Sequence, residues 1–106
     1  NEGIVGGDTV LPAGWVRDAT TPRTLRGGAP LDYGYLWWTG TSPVARRDGA
    51  FSADGIFGQT IYVNPTRRVV VVVLSAWPKP LAGSVFGDDW SFFGAVVEEV
   101  VRARTR

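Results

Sequence analysis

The chain has 106 residues, of which 44% are hydrophobic and 20% are charged, and its net charge is +1. This composition is typical of one globular unit, and the charge balance excludes the strongly basic surface that nucleic-acid binding requires. Cysteine and histidine are absent. Their absence excludes disulfides, thiol nucleophiles, Ser-His-Asp triads and the usual zinc sites, so we expect neither a metal nor another cofactor.

Two further features concern the context of the chain. The longest apolar run, Val69–Leu74, is much shorter than the roughly 20 residues of a membrane-spanning helix, so we predict no membrane span. Methionine is also absent, which indicates that Asn1 is not a translation start and that further sequence precedes it. Asn1–Gly3 lacks the features of a secretory signal, and the sequence leaves the localisation open.

The first half of the chain alternates loops with short predicted elements. Residues 1–30 are predicted to form a loop, a short helix near Leu11–Val16 and a second loop. The aromatic run Tyr33–Trp38 favours a strand. The polar segment Thr41–Gly49, which contains a proline and two arginines, is predicted to be a connection.

The second half has stronger patterns. Extended character runs from Ala50 to Val63, and Asn64–Arg67 is predicted to turn the chain into the next strand. That strand, Val69–Leu74, is apolar on both sides, which is typical of a central strand covered on two faces. A final helix is predicted after it, capped by Asp88 and Asp89. Its core face is predicted from three- and four-residue spacing to comprise Phe93, Val96, Val97, Val100 and Val101.

The predicted fold class is α+β, with an antiparallel sheet of about three strands and a C-terminal helix packed on it. Such a layer is thin, and a stable sandwich of this kind usually needs more strands and a second covering layer. We therefore expect the chain to be part of an α/β sandwich. Its uncovered valine strand could pair with a second copy and form a homo-oligomer.

Several segments, taken in order, resemble one enzyme family. They are Gly6–Gly7, Val10–Val16, Tyr33–Trp38, Ser52–Pro65, Arg67–Arg68 and Ser75–Pro78. Together they resemble the 6-aminohexanoate-dimer hydrolase branch of the β-lactamase-like serine hydrolases, a group that includes class C β-lactamases and penicillin-binding peptidases. The resemblance implies that residues 1–106 are the C-terminal portion of a single β-lactamase-like domain.

In that family a serine attacks an amide or ester carbonyl, a lysine three residues later activates it, and a tyrosine moves the proton. The only lysine, Lys79, follows Ser75 by four residues, so the chain spells no Ser-x-x-Lys motif. Tyr62-Val63-Asn64 spells Tyr-x-Asn, but it ends a strand at a turn, and we interpret Tyr62 as a packed aromatic and Asn64 as a turn residue. The catalytic serine, lysine and tyrosine are therefore expected outside this chain.

The resemblance implies that this chain forms a wall of the active site. Ala50-Phe51-Ser52 stands where other members carry Lys-Thr-Gly or a similar triplet, which favours an amidase or esterase over a true β-lactamase. The backbone N–H of either Ala53 or Asp54 would face the developing oxyanion of the substrate. The expected substrate-binding residues are Ser52, Gly55 and Ile56.

Several of these residues also have a purely structural interpretation. Gly55 and Gly58 could kink a strand or allow close packing instead of lining a site. Asp54 could contact substrate or occupy a strand bend. Trp37 and Trp38 could floor a substrate groove, although adjacent strand residues point to opposite faces and at least one of them should lie in the core.

The resemblance thus implies a serine hydrolase acting on amide or ester bonds, to which this chain contributes the oxyanion strand and the pocket wall. The expected partners are the remainder of the hydrolase chain and a small amide or ester substrate, with no nucleic acid and no membrane. The alternative is a non-catalytic module that uses a hydrolase-like fold for ligand binding or assembly. The isolated chain should be inactive.

Overall fold

The computed structural model describes residues 3–80 and 86–106, with side chains described except at 86–89. The elements in chain order are β1 (Ile4–Val5), β2 (Asp8–Thr9), α1 (Trp15–Ala19), β3 (Arg23–Thr24), β4 (Pro30–Leu31), β5 (Trp38–Thr39), α2 (Pro43–Asp48), β6 (Phe51–Asp54), β7 (Thr60–Asn64), β8 (Val69–Val73) and α3 (Phe86–Arg104). Two ribbons, β1–β2 and β3–β4, precede an antiparallel sheet in the order β5-β6-β7-β8. The α+β class is confirmed, with four strands in this sheet rather than three.

One face of the main sheet is covered by α3. Tyr62 is 3% exposed and stacks on Phe93, with 4.8 Å between the ring centroids, and Val97 joins the same buried cluster. Burying a large apolar side chain contributes about 1.5–3 kcal/mol, so these contacts fix the helix on the sheet. The predicted core face of α3 is confirmed at its buried positions. The predicted cap at Asp88 and Asp89 is wrong, because α3 begins at Phe86 and both residues lie within its first turn.

The opposite face is open within the described residues. Because side chains alternate along a strand, Ile61, Val70 and Val72 point away from α3, and their exposed fractions are 44%, 61% and 59%. In the described part of the chain, β8 pairs with β7 alone and forms an edge of the sheet. Within the described residues, the predicted cover of Val69–Leu74 on two faces is therefore present on one face only.

The aromatic segment Tyr33–Trp38 turns instead of forming a continuous strand. The Gly34 N–H donates to the Trp37 carbonyl at 2.8 Å, and Leu36 adopts a left-handed φ of 64°. Gly34 lies so close to the Ala19 carbonyl that a Cβ would overlap it. The close approach to α1 overrides the strand propensity of the aromatic residues, and only Trp38 enters β5.

The predicted connection Thr41–Gly49 contains helix α2. The Ser42 hydroxyl accepts the Ala45 N–H at 3.1 Å, which caps the helix, and Pro43 occupies the first helical position. Gly49 ends the helix in a left-handed conformation with a φ of 65°. None of the three helices lying in the described residues is both long and apolar enough to cross a membrane.

A buried charge cluster joins the end of α2 to the main sheet. Asp48, with a side chain 3% exposed, accepts hydrogen bonds from Arg47 Nε at 2.9 Å, Asn64 Nδ2 at 3.1 Å and Arg67 Nε at 3.2 Å. The Arg47 hydrogen bond, together with those from Asn64 and Arg67, lowers the pKa of Asp48 from 3.8 to about 2 against the opposing effect of burial. Asn64 also accepts the Arg67 backbone N–H at 2.9 Å, which confirms its role in the turn.

Candidate functional site

The β6–β7 connection spans residues 55–59 at one end of the sheet, and the Gly55–Gln59 hydrogen bond closes a three-residue loop, 56–58. The Gly55 N–H donates to the Gln59 carbonyl at 2.7 Å, and the Gly58 N–H donates to the Gly55 carbonyl at 3.0 Å. Gly58 has a left-handed φ of 85°. This arrangement is a bulged hairpin turn, which favours glycine at the left-handed position because glycine lacks a Cβ. The geometry of this turn therefore accounts for the presence of glycine at position 58.

The segment after β8 contacts this turn through Ser75 and Trp77. We call these two residues the clasp. The Trp77 N–H donates to the Phe57 carbonyl at 3.0 Å, and the Ser75 hydroxyl donates to the Gly58 carbonyl. The Gln59 side-chain amide donates to the Ser75 carbonyl at 2.8 Å. The Trp77 indole lies so close to Gly58 that a Cβ there would overlap it. The clasp thus fixes the turn relative to the end of β8.

The hydrogen-bonding alternation of β6 determines the direction of its N–H groups. Because Gly55 is hydrogen-bonded to Gln59, the alternation of an antiparallel ladder directs the Ala53 N–H towards β7 and the Asp54 N–H to the other side. On that side, β5 pairs with β6 only as far as Ser52. The Asp54 N–H therefore lies at an open edge of β6, whereas the Ala53 N–H lies inside the sheet.

The expected site residues do not all face the same way. Ser52 is 1% exposed, and its hydroxyl donates to the Asp54 carboxylate at 2.9 Å on the face of the sheet towards α3. A Cβ at Gly55 would meet the Gln59 side-chain oxygen at 2.5 Å, and Ile56 is 54% exposed in the turn. The structure thus brings Gly55, Ile56 and the Asp54 N–H to one end of β6, while the Ser52 hydroxyl is buried.

A cleft of about 360 Å³ lies beside this turn, at the ends of β6, β7 and β8. Its lining includes Asp54 and Gly55 together with the apolar side chains of Ile61, Val72 and Leu74. Leu74 is 86% exposed. Apolar walls next to a few backbone polar groups are typical of sites for small molecules. The cleft can therefore accept an aliphatic group next to the turn.

The described serines are not arranged as nucleophiles. Ser42 caps α2, Ser52 is buried, and Ser75 belongs to the clasp. Ser91 is exposed on α3, and Ser84 lies outside the described residues. Across residues 3–80 and 86–106, no cluster of acidic side chains could hold a metal ion.

The Tyr-x-Asn motif at Tyr62 and Asn64 has a structural role. Both side chains are buried, and burial raises the pKa of the Tyr62 phenol. The Tyr62 ring packs edge-on against Trp90, with 5.6 Å between centroids, in addition to its stack on α3. The interpretation of this motif as a packed aromatic followed by a turn residue is confirmed.

Sequence reasoning missed two parts of this region, the clasp and the Asp48 cluster. Trp77 stood within the run that carried the family resemblance, but no spacing rule connects it to a glycine 19 positions earlier. Arg47 and Arg67 both contact Asp48, although the sequence analysis assigned no partner to either. An acidic residue next to an arginine pair was the available signal for the cluster.

Comparisons with known proteins relate the chain to one named hydrolase. The chain is 31% identical over 87 residues to the 6-aminohexanoate-dimer hydrolase of Paenarthrobacter ureafaciens, a match that covers 74% of this chain and 21% of that protein. A solved structure from Bacillus anthracis, provisionally named a 6-aminohexanoate-dimer hydrolase, matches with a TM-score of 0.75 and 22% identity. That match covers 95% of this chain and 26% of the other. No family model matches the chain.

The two matches support different conclusions. The sequence match shows homology to part of a 6-aminohexanoate-dimer hydrolase, and the structural match, at lower identity, shows a shared fold. The chain spans between a fifth and about a quarter of the length of these relatives, as the 21% and 26% coverages show. The matched region is therefore one portion of a larger hydrolase in each relative.

Proposed function

We propose that the chain forms one wall of a hydrolase active site and supplies a backbone N–H to the carbonyl oxygen of an amide or ester substrate. In this proposal the serine, lysine and tyrosine of acyl transfer lie in sequence outside the chain. Homology to a 6-aminohexanoate-dimer hydrolase supports a parent protein that hydrolyses amides. Gly55 and Ile56 form the substrate wall, and Ser52 acts behind them by orienting Asp54.

The Asp54 N–H at the open edge of β6 is the observation that carries this proposal. An oxyanion hole needs a donor that is already in position when negative charge develops on the carbonyl oxygen. Pairing of β6 with β7 holds the Asp54 backbone, and the clasp holds the adjoining turn. A donor fixed from both sides requires little reorganisation when the oxyanion forms.

During acyl transfer, this N–H must stabilise the negative charge that forms on the carbonyl oxygen. As the serine oxygen adds to the carbonyl carbon, the electron pair of the C=O bond moves onto the oxygen, and the Asp54 N–H donates to that oxyanion. When the bond to the leaving group breaks, the electron pair returns to the C=O bond, the leaving group takes up the proton that the serine gave to the lysine and tyrosine, and it departs as an amine or alcohol from the acyl-enzyme. The N–H thus binds the intermediate more tightly than the substrate, which is the condition for catalysis.

The open face of the sheet supports a role for additional sequence in completing the domain. Ile61, Val70 and Val72 leave an apolar surface uncovered by the described residues. The two relatives are several times longer than the matched region, as the 21% and 26% coverages show. We propose that the remainder of the hydrolase chain covers this face and carries the nucleophile.

Replacing the Asp54 amide by an ester tests the donor, because it removes the N–H and keeps the side chain. The reading frame that encodes the chain, expressed at full length, should hydrolyse an aliphatic amide or a chromogenic ester. The ester at Asp54 should lower kcat by about 10²–10³-fold, as expected for loss of one oxyanion donor. The same replacement at Ala53 is the matched control, because it removes a hydrogen bond inside the sheet, and kcat should stay close to that of the parent protein.

Two outcomes would contradict parts of this proposal. A loss of kcat for an ester at Ile56, without a loss for an ester at Asp54, would assign the oxyanion donor to the Ile56 N–H instead. A full-length protein that hydrolyses neither the amide nor the ester would contradict the proposal that it is a hydrolase.

A second candidate function is a non-catalytic module for ligand binding or assembly. It is favoured by the roles of Ser42, Ser52 and Ser75, none of which is arranged as a nucleophile in the described residues. A serine-reactive fluorophosphonate separates the two candidates. The enzyme requires labelling of one serine outside this chain in the full-length protein, whereas absence of both labelling and hydrolysis supports the module. Stoichiometric labelling of the isolated chain would contradict our assignment of the nucleophile.

A further inference from the structure

A second cavity, of about 620 Å³, lies between α1, α2 and the outer strand β5. Its volume falls within the range of about 300–1,000 Å³ that is typical of small-molecule sites. None of the residues of the candidate active site, from Ser52 to Gly58, lines it. The cavity is therefore a separate feature, and the inference drawn from it does not depend on the proposed hydrolase function.

The charges around this cavity leave an excess of one positive unit. Arg17, Arg46 and Asp32 are the charged residues of its lining. Arg46 approaches Asp32 at 3.6 Å, which is longer than a hydrogen bond, and both side chains are well exposed at 62% and 42%. Arg17 forms no ion pair with any residue in the described part of the chain. A ligand with a single negative charge would neutralise the excess.

A buried hydroxyl group on the cavity wall provides an independent observation. Thr39 lines the cavity and is 7% exposed, yet its Oγ1 has no hydrogen-bond partner among the described residues. Buried polar groups are nearly always hydrogen-bonded, because leaving one without a partner destabilises the fold. Because this oxygen has almost no accessible surface, the cavity wall must shift slightly for a ligand oxygen or a water to reach it and satisfy the hydroxyl.

We propose that this cavity binds a small organic monocarboxylate. The carboxylate would lie against the guanidinium groups of Arg17 and Arg46, because arginine forms charge-assisted and often paired hydrogen bonds with carboxylates. The apolar part of the molecule would lie on Pro22 and Pro30, which also line the cavity. A monocarboxylate matches the charge of the lining better than a phosphate, which carries more negative charge at neutral pH.

Titration of the ¹⁵N-labelled full-length protein with benzoate, followed by NMR, tests this site. Benzoate should shift the backbone amides of Thr39, Gly40 and Gly49 and saturate them. Benzamide, which has the same shape without the charge, should bind at least roughly tenfold more weakly because it lacks the charge-assisted hydrogen bonds. Equal binding of the two compounds, or shifts spread over the surface, would overturn the proposal.

Substitutions locate the carboxylate and separate binding from folding. Arg17→Gln and Arg46→Gln should each weaken benzoate binding by about fivefold or more, whereas Arg106→Gln, at an exposed position outside the cavity, should leave it unchanged. Thr39→Val keeps the shape of the side chain and should weaken binding in a folded chain, as judged by its dispersed amide spectrum. Unchanged binding in both cavity arginine variants would overturn the assignment, as would inorganic phosphate binding more tightly than benzoate.

Discussion

The two faces of the main sheet differ in where their packing partners come from. Tyr62 and Ile61 are neighbours on β7, yet Tyr62 is 3% exposed against α3 and Ile61 is 44% exposed on the other side. The same contrast appears on β8, where Val69 is 5% exposed and Val70 is 61% exposed. Apolar residues on both faces of a strand therefore indicate two covering layers, but they do not indicate that one segment of chain supplies both.

The largest expected change in the free energy of unfolding comes from truncating a side chain on the face of the sheet that α3 covers. Tyr62→Ala removes the ring that stacks on Phe93 and should lower the free energy of unfolding by about 3–5 kcal/mol, as large aromatic truncations in cores do. Ile61→Ala, on the open face, should cost about 1 kcal/mol or less, in the range of strand propensity differences. Urea unfolding of the two variants measures both values. Similar losses would show that the two faces are equally packed.

The Asp48 cluster belongs to the covered side and should give the next largest effect. Asp48→Ala leaves the side chains of Arg47, Asn64 and Arg67 without their shared acceptor, and leaving the buried Asn64 amide without a partner costs about 1–3 kcal/mol. The matched control is Asp18→Ala, which breaks a surface ion pair whose side chains are 38% and 56% exposed. Exposed pairs contribute about 0–1 kcal/mol. Equal destabilisation by the two substitutions would contradict a buried anchor.

Acid should weaken the same anchor over a defined pH range. The pKa of Asp48 is lowered from 3.8 to about 2, so its charged form stabilises the folded chain. This contribution is fully present above pH 4 and is lost as the pH falls through 2, and it amounts to about 2 kcal/mol. Unfolding free energies measured between pH 6 and 2 should therefore converge for the wild type and Asp48→Asn. A constant difference down to pH 2 would contradict the lowered pKa.

The smallest expected effect distinguishes adjacent valines of β8. Val71 packs against the buried cluster, and Val71→Thr places a hydroxyl there at a cost of about 1–3 kcal/mol. Val72 is 59% exposed on the open face, and Val72→Thr should change the free energy of unfolding by no more than about 0.5 kcal/mol. Thermal and urea unfolding of both variants provide the measurement. A larger loss at Val72 would show that the open face is covered in solution.

The fold was predictable where local pattern and packing agree. The three- and four-residue spacing of α3 and the alternation in β7 arise from contacts with the core, so the sequence records them directly. Helix α2 was missed because its short segment is rich in arginine and its stability depends on the Ser42 cap and the Asp48 cluster. The turn at Tyr33–Trp38 depends on a contact with the Ala19 carbonyl, which no local pattern reports.

The sequence placed the proposed donor at one of two adjacent residues, and the choice between them required the register. Sequence resemblance left Ala53 and Asp54 as alternative donors. The direction of an N–H depends on whether a residue is hydrogen-bonded to the neighbouring strand, and that parity follows from the length of the loop between Gly55 and Gln59. Loop geometry is a property of the folded hairpin, so the sequence alone could not choose.

The clasp has a consequence for the order in which this region folds. Ser75 and Trp77 can reach the turn at Gly58 only after β8 has returned alongside β7, because they follow β8 in the chain. The bulged hairpin can form from local contacts, but its final position depends on partners 17 to 20 residues later in the sequence. Native-state hydrogen exchange should therefore detect the Trp77 amide opening together with the turn, in a subglobal event that leaves α3 and Tyr62 protected.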